Sequence, residues 1–268
     1  MRLIPPQYVK PFVERAENDR ADAEAISDAA SRPTMPSVAV RTVDQQASTM
    51  ILKHREMLVA QRTQAINALR GHAAEFGVIA AKGTAQAAAL LNKLASEEAV
   101  PAAARAMFVQ MGEHIADLDR RVAALDEELL ALRKANPVSQ LLAEVPGIGP
   151  VTAITLALTI EPGNFASGRH LAAWLGLTPK EHSTGGKQRL GRISKAGHER
   201  LRQLLVVGAT AVVRHAKPGG KSASAWLLGL LERKPRKLVA VALANKMARI
   251  VWAMMARGEA YRRRPVAA

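Results

Sequence analysis

The residues with the most chemical promise lie in one polar run, His182-Ser183-Thr184-Gly185-Gly186-Lys187-Gln188-Arg189, continued by Gly191-Arg192-Ile193-Ser194-Lys195-Ala196-Gly197 and Leu201-Arg202. Hydroxyls, glycines and cations alternate there between two apolar helical patterns. Glycines let backbone N–H groups come close to a phosphate, and cations neutralise it. A hydroxyl among such donors is a candidate nucleophile or phosphate ligand. Ser183 is the best-placed nucleophile, and Thr184, Gly185 and Gly186 form the candidate cradle. Lys187, Arg189, Arg192 and Lys195 are the candidate phosphate-neutralising cations, and Ser194 is a candidate phosphate ligand or helix cap. His182 could act as a base. The competing reading is a solvated basic loop.

A second run, Leu142-Ala143-Glu144-Val145-Pro146-Gly147-Ile148-Gly149-Pro150-Val151-Thr152-Ala153, resembles a helix-hairpin-helix element. Gly147 and Gly149 would allow a tight turn whose N–H groups, with the next helix N-terminus, face a phosphate. Such an element grips backbone without reading bases. An ordinary glycine-turned helical hairpin is the alternative. Asp19 and Asp22 stand at i and i+3, on one helical face, where they could share a divalent cation. Equally, they could simply complement the helix dipole. Trp174, Met247, Met254 and Met255 read as core.

These residues must be positioned by helices. The 268 residues are 49% hydrophobic but only 3% aromatic, which favours helix over sheet. Arg2-Leu3-Ile4 and Ser37-Val38-Ala39-Val40 read as two short strands, with a helix from Asn18 or Asp19 to Ser31 between them. A long helical pattern follows from Val43 to about Gly77, with Leu52, Val59, Ile66 and Ala73 spaced by seven and Leu69 and Phe76 alongside. Another runs from Ala102 to Lys134, where Ile115, Leu118, Val122, Leu125, Leu129 and Leu132 form a heptad seam. The pair suggests a coiled-coil hairpin, with a shorter Thr84–Glu98 helix between, that spaces domains or dimerises the chain. Asn136-Pro137 then opens a domain expected to be wholly helical, over about 138–145, 150–160, 168–175, 197–215, 222–232 and 236–263. The expected domains are 1–42, 43–136 and 137–268.

The formal net charge is +15. It is one-sided, because the residues from Ser167 on hold roughly 21 Lys and Arg against about 4 Asp and Glu. That imbalance points to DNA or RNA before an anionic membrane. With no cysteine, thiolate metal sites, disulfides and cysteine nucleophiles are excluded. Leu204–Val213 is too short to span a bilayer, and Leu238–Ala256 is interrupted by Asn245, Lys246 and Arg249. A cytoplasmic protein with no membrane partner is expected.

Taken in order, Asn18-Asp19-Arg20-Ala21-Asp22-Ala23, the long helices, Val145-Pro146-Gly147-Ile148-Gly149, Trp174-Leu175-Gly176-Leu177-Thr178-Pro179, Ser183-Thr184-Gly185-Gly186-Lys187, Ile193-Ser194-Lys195 and Ala242-Leu243-Ala244-Asn245-Lys246 resemble the IS110/IS1111 insertion-sequence transposases. The resemblance covers essentially the whole chain. It implies a mainly α protein: part of an RNase H-like (RuvC-like) α/β domain carrying a DEDD tetrad, a coiled coil, and an all-helical transposase domain with a helix-hairpin-helix element. It implies that Asp19 and Asp22 are the last two tetrad acids, holding Mg²⁺, and that Ser183 is a catalytic serine forming a covalent link to DNA. It also implies an element-encoded guide RNA and a homo-oligomer joined through the coiled coil. Members of the family carry further strands, with the first Asp and Glu of the tetrad, ahead of the segment matching Arg2. A truncated or mis-started enzyme with impaired activity is therefore expected. Three alternatives share these parts: a non-catalytic, dimerising nucleic-acid-binding remnant, an architectural helical protein, and a site-specific DNA invertase.

Overall fold

The computed structural model describes residues 3–13, 18–35, 37–38, 40–187, 189–217 and 224–262. The chain divides into two compact units, Met1–Ala47 and Ser48–Ala268.

In the first unit, α1 (Pro6–Val9) runs into a 3-10 turn at Lys10–Phe12. Pro6 starts this helix because its fixed φ suits the first helical position. The expected α2 (Asp19–Ser31) forms, and Asn18 Oδ1 caps it by accepting from the Ala21 amide at 2.9 Å. Ala25 and Ala29 face inward, and the Arg32 guanidinium lies 4.5 Å from the centre of the Phe12 ring. Among the described residues, the two expected strands meet in one antiparallel bridge, in which the Val38 amide donates to Leu3 O at 2.8 Å. One bridge offers too few ladder bonds to extend as a sheet. Arg2 and Ala39 lie outside the described residues. Ile26, Val38 and Val40 are exposed.

The second unit begins with an antiparallel helical hairpin. Its arms are α3 (Val43–Glu75) and α5 (Ala102–Ala135), with α4 (Gln86–Ser96) between them. Leu52 packs with Leu129, and Leu58 with Leu118 and Val122. Ile66, Leu69 and Ala73 pack with Phe108 and Ile115. Arg55 donates to both carboxylate oxygens of Asp126 (2.6 and 3.1 Å), and Arg62 pairs with Asp119 at 2.6 Å. The apolar seam is thus occupied within one chain. Val59, expected in it, is half-buried, while its neighbour Leu58 takes the buried place.

At the root of the hairpin Asn136 ends α5 and caps α6 (Pro137–Leu142), its Oδ1 accepting from the Ser139 amide at 2.8 Å. The remaining helices are α7 (Pro150–Thr159), α8 (Gly168–Trp174), α9 (Glu199–Arg214), α10 (Ala225–Arg233) and α11 (Arg236–Arg257). They enclose a core of Leu142, Val145, Ile148, Leu156, Leu171, Leu175, Leu201, Leu205, Met247, Val251 and Met254. By length and composition α11 could cross a membrane, but its face from Ala244 to Met254 is buried in this core, and Val239 and Ala240 are buried against α9 and α10. The helix stops at Gly258, whose φ of +66° closes the C-terminus.

The domain is not wholly helical, which corrects the expectation. Strands β1 (Pro179–Glu181) and β2 (Leu190–Ile193) form an antiparallel hairpin between α8 and α9. Both strands are almost fully exposed, so no apolar alternation marked them in the sequence.

A candidate nucleic-acid interface and nucleophile

The polar run from His182 to Arg189 forms the tip of this β-hairpin. The His182 amide donates to Arg189 O at 2.8 Å, and the Lys187 amide to Thr184 O at 3.1 Å. Gly185 and Gly186 sit between them with φ of +56° and +75°. Two successive positive φ values mark the type I′ turn that suits strand twist. Among the described residues, chain neighbours aside, no atom lies within 4 Å of where a Cβ would stand on either glycine, so there is open space beside the turn. Gln188 lies outside the described residues.

Ser183 is exposed at the edge of this tip, and its Oγ accepts from the Arg189 amide at 3.1 Å. The hydroxyl is therefore oriented by the opposite strand. Thr184, Lys187, Arg189 and Arg192 are exposed around it. His182 turns its ring toward Gly191, where a Cβ would lie 3.1 Å from the ring.

The base of the hairpin is built differently. The Ser194 amide donates to Thr178 O at 2.8 Å, and the Lys195 amide to Gly176 O at 3.2 Å. Ser194 Oγ accepts from the Ala196 amide at 3.4 Å, so it closes a local turn and does not cap α9. The cap is His198, whose Nδ1 accepts from the Leu201 amide at 3.3 Å. Lys195 has a φ of +56°, the one non-glycine in that region among the described residues. A left-handed non-glycine costs about 1 kcal/mol or more, so its surroundings must hold it there.

They do so through Gly176, Gly197 and Arg202, of which the sequence reading placed Gly197 and Arg202 in the phosphate-facing run and not in a structural role. A Cβ on Gly197 would lie 1.8 Å from Trp174 O, and one on Gly176 would lie 2.4 Å from Ala196 O. Arg202 is 8% exposed and donates to Leu175 O (3.2 Å) and Ala196 O (2.8 Å), tying the two segments together. An arginine on the buried stripe Leu201-Arg202-Leu205-Ala209 of α9 was the available signal. Asn245 of α11 also holds this base, its Nδ2 donating to Leu177 O at 3.2 Å. Trp174 is half-buried against Phe165, with ring centres 5.4 Å apart, as expected of a core residue.

The two glycines of the α6–α7 turn divide in role. Gly147 (φ +90°) packs backbone to backbone on α9, where a Cβ on Gly208 would lie 1.9 Å from Gly147 O. Gly149 is exposed at the start of α7 with open space beside it. Gly147 therefore joins helices, and Gly149 is the one free to meet a ligand.

In the first unit, Asp19 and Asp22 are exposed in the first turn of α2. Two carboxylates at this spacing suit a hard cation that takes its other ligands from water and phosphate. No group of three or more His, Asp or Glu gathers among the described residues. The cleft of about 740 Å³ between α3 and α9 carries Glu199 and a Glu56–Arg200 ion pair (2.8 Å), so it offers a polyanion no net positive charge.

Residues 139–224, which include the whole β-hairpin, match the family model described as Transposase IS116/IS110/IS902 family. The chain is 51% identical over 264 residues to a putative transposase, y4pF/y4sB, of Sinorhizobium fredii, covering 98% of this chain and 68% of that protein. It is 40% identical to the transposase for insertion sequence element IS1111A of Coxiella burnetii, covering 97% of this chain and 72% of the other. A pilin gene-inverting protein of Moraxella lacunata is 27% identical over 151 residues, covering 53% of this chain and 46% of that protein. With these similarities added to a mainly helical fold, the chain belongs to the IS110/IS1111 family of insertion-sequence transposases.

Proposed function

We propose that this chain cleaves and rejoins DNA phosphodiesters with Ser183 as the nucleophile. The observation that carries the reading is the Arg189 amide on Ser183 Oγ, at 3.1 Å on an exposed hairpin tip. An N–H donor aimed at a hydroxyl oxygen stabilises negative charge as it develops there. Oγ would attack phosphorus, the bond to one strand oxygen would break, and that oxygen would take up a proton. The hydroxyl proton would pass to a base. Attack by a strand hydroxyl on the phosphoserine would then rejoin DNA and release Ser183.

Lys187, Arg189, Arg192 and Lys195 neutralise the phosphate in this reading, with Thr184, Gly185, Gly186 and Ser194 as further backbone or hydroxyl contacts. The α6–α7 turn acts as a helix-hairpin-helix grip through Gly149. Asp19 and Asp22 would hold Mg²⁺, which when bound supplies positive charge to a phosphate. A guide RNA and assembly of several copies through the helical hairpin belong to the same proposal.

A second reading is a binding module without catalysis, favoured by the absence of a third carboxylate near Asp19 and Asp22 among the described residues. Ser183→Ala distinguishes the two in a strand-transfer assay on DNA carrying element ends, with guide RNA present. Loss of transfer by at least about a thousandfold, with DNA binding kept, supports the nucleophile. No transfer by either protein supports the binding module, and equal activity in both removes Ser183 as the nucleophile.

A further inference from the structure

The helical bundle carries a second basic surface at the end away from the β-hairpin. The last turn of α9 (Val212, Val213) and the first turn of α11 (Val239, Ala240) share one cluster with Leu227 of α10. That places Arg214 and Lys217, at the end of α9, beside the α10–α11 turn, which carries Arg233, Lys234, Arg236 and Lys237. All six cations are exposed, and none is in an ion pair among the described residues. Glu232 is the one carboxylate in the sequence between Arg214 and Lys237.

Arg214 and Arg233 suit the last helical turns they occupy, but the α11 end of the patch works against folding. Arg236 and Lys237 occupy the first turn of α11, the positive end of its dipole, and that turn contains no acidic residue. Crowded like charges at the wrong helix end are a cost that an external polyanion would remove. The hairpin base is anchored at the opposite end of α9, through Arg202 and the Trp174–His198 contact. Sixteen residues of α9 put roughly 24 Å between the two surfaces.

We infer that Arg214, Lys217, Arg233, Lys234, Arg236 and Lys237 form a second backbone-binding surface for duplex DNA. A rigid duplex held at the hairpin can reach it, whereas a short single strand has no such stiffness. Cations at these helix ends are expected to meet phosphates, which carry no sequence information, so the grip is expected to be largely independent of sequence. The inference rests on the DNA-recombination reading above.

The test is duplex binding by the full chain across a salt series, using element-end DNA and a scrambled duplex. Replacing Arg233, Lys234, Arg236 and Lys237 by Gln is expected to weaken both duplexes about tenfold or more. The log–log salt slope becomes shallower by about 2 to 4. Replacing Lys82, Lys93, Arg105 and Lys134, four exposed cations of the helical hairpin, by Gln removes equal charge and leaves the slope nearly unchanged. A Lys234→Glu, Lys237→Glu protein with an unaltered melting curve gives the same loss from a second direction. Unchanged duplex binding, an equal loss in the control, or a loss confined to structured RNA would each overturn the inference. Failure of the catalytic reading shows separately, as indifference of strand transfer to Ser183→Ala.

Discussion

The tip and the base of one β-hairpin use glycine for opposite reasons. At the tip, Gly185 and Gly186 have positive φ and nothing within 4 Å of a Cβ position. At the base, Gly176 and Gly197 also have positive φ, but a Cβ there would strike backbone. The tip therefore needs glycine only for its turn conformation, and its exposed groups remain available to a partner. The base needs glycine because two chain segments touch, with Arg202 fastening them and Lys195 held in a left-handed conformation between. A protruding tip on a locked base presents a hydroxyl to a large substrate while limiting where that hydroxyl can go.

The sharpest way to break this comparison is at the base. Gly197→Ala puts a methyl 1.8 Å from Trp174 O at a φ of +71°. A loss of about 3 to 5 kcal/mol is expected in urea unfolding, since backbone cannot yield as a side chain can. Arg202→Met should cost about 2 to 4 kcal/mol, because two carbonyls lose a charged donor. Arg202→Lys should recover only part of it, because Nη1 alone donates to both carbonyls and the shorter, more strongly hydrated lysine does not carry its ammonium to that position. Hydrogen exchange at the Lys195 and Ala196 amides would rise in both proteins if Arg202 fastens the loop. Unchanged exchange would remove it from that role. The smallest effect is expected at the tip. Asn tolerates positive φ in a type I′ turn, so Gly185→Asn should alter the melting free energy by less than about 0.5 kcal/mol. A destabilisation matching that of Gly197→Ala would show that the tip is packed after all.

How much of this was legible depended on how local the cause was. Helix α2 and its Asn18 cap, the long arms of α3 and α5, and the break at Asn136-Pro137 all follow from neighbours within a few residues. The β-hairpin was missed because neither strand buries a face, so the period of two never appears. Gly185-Gly186 was the remaining cue, since adjacent glycines between short segments signal a type I′ turn. The sequence reading took those glycines as a phosphate cradle. Their geometry first explains a turn, which leaves phosphate contact as a separate question of binding.

By itself, the sequence determined helix positions, caps, charge asymmetry and the ordered set of motifs that marks the family. Those properties are set by side-chain type and spacing along the chain. Only the tertiary structure decided that Gly147 meets Gly208, that Gly197 meets Trp174, and that Arg202 bridges Leu175 and Ala196. It also decided that the heptad seam closes within one chain and that two cationic segments share one end of the bundle. Each of these joins residues distant in sequence or on different elements, and no local pattern records which backbone a glycine will touch. Close packing selects those partners only when the helices have docked.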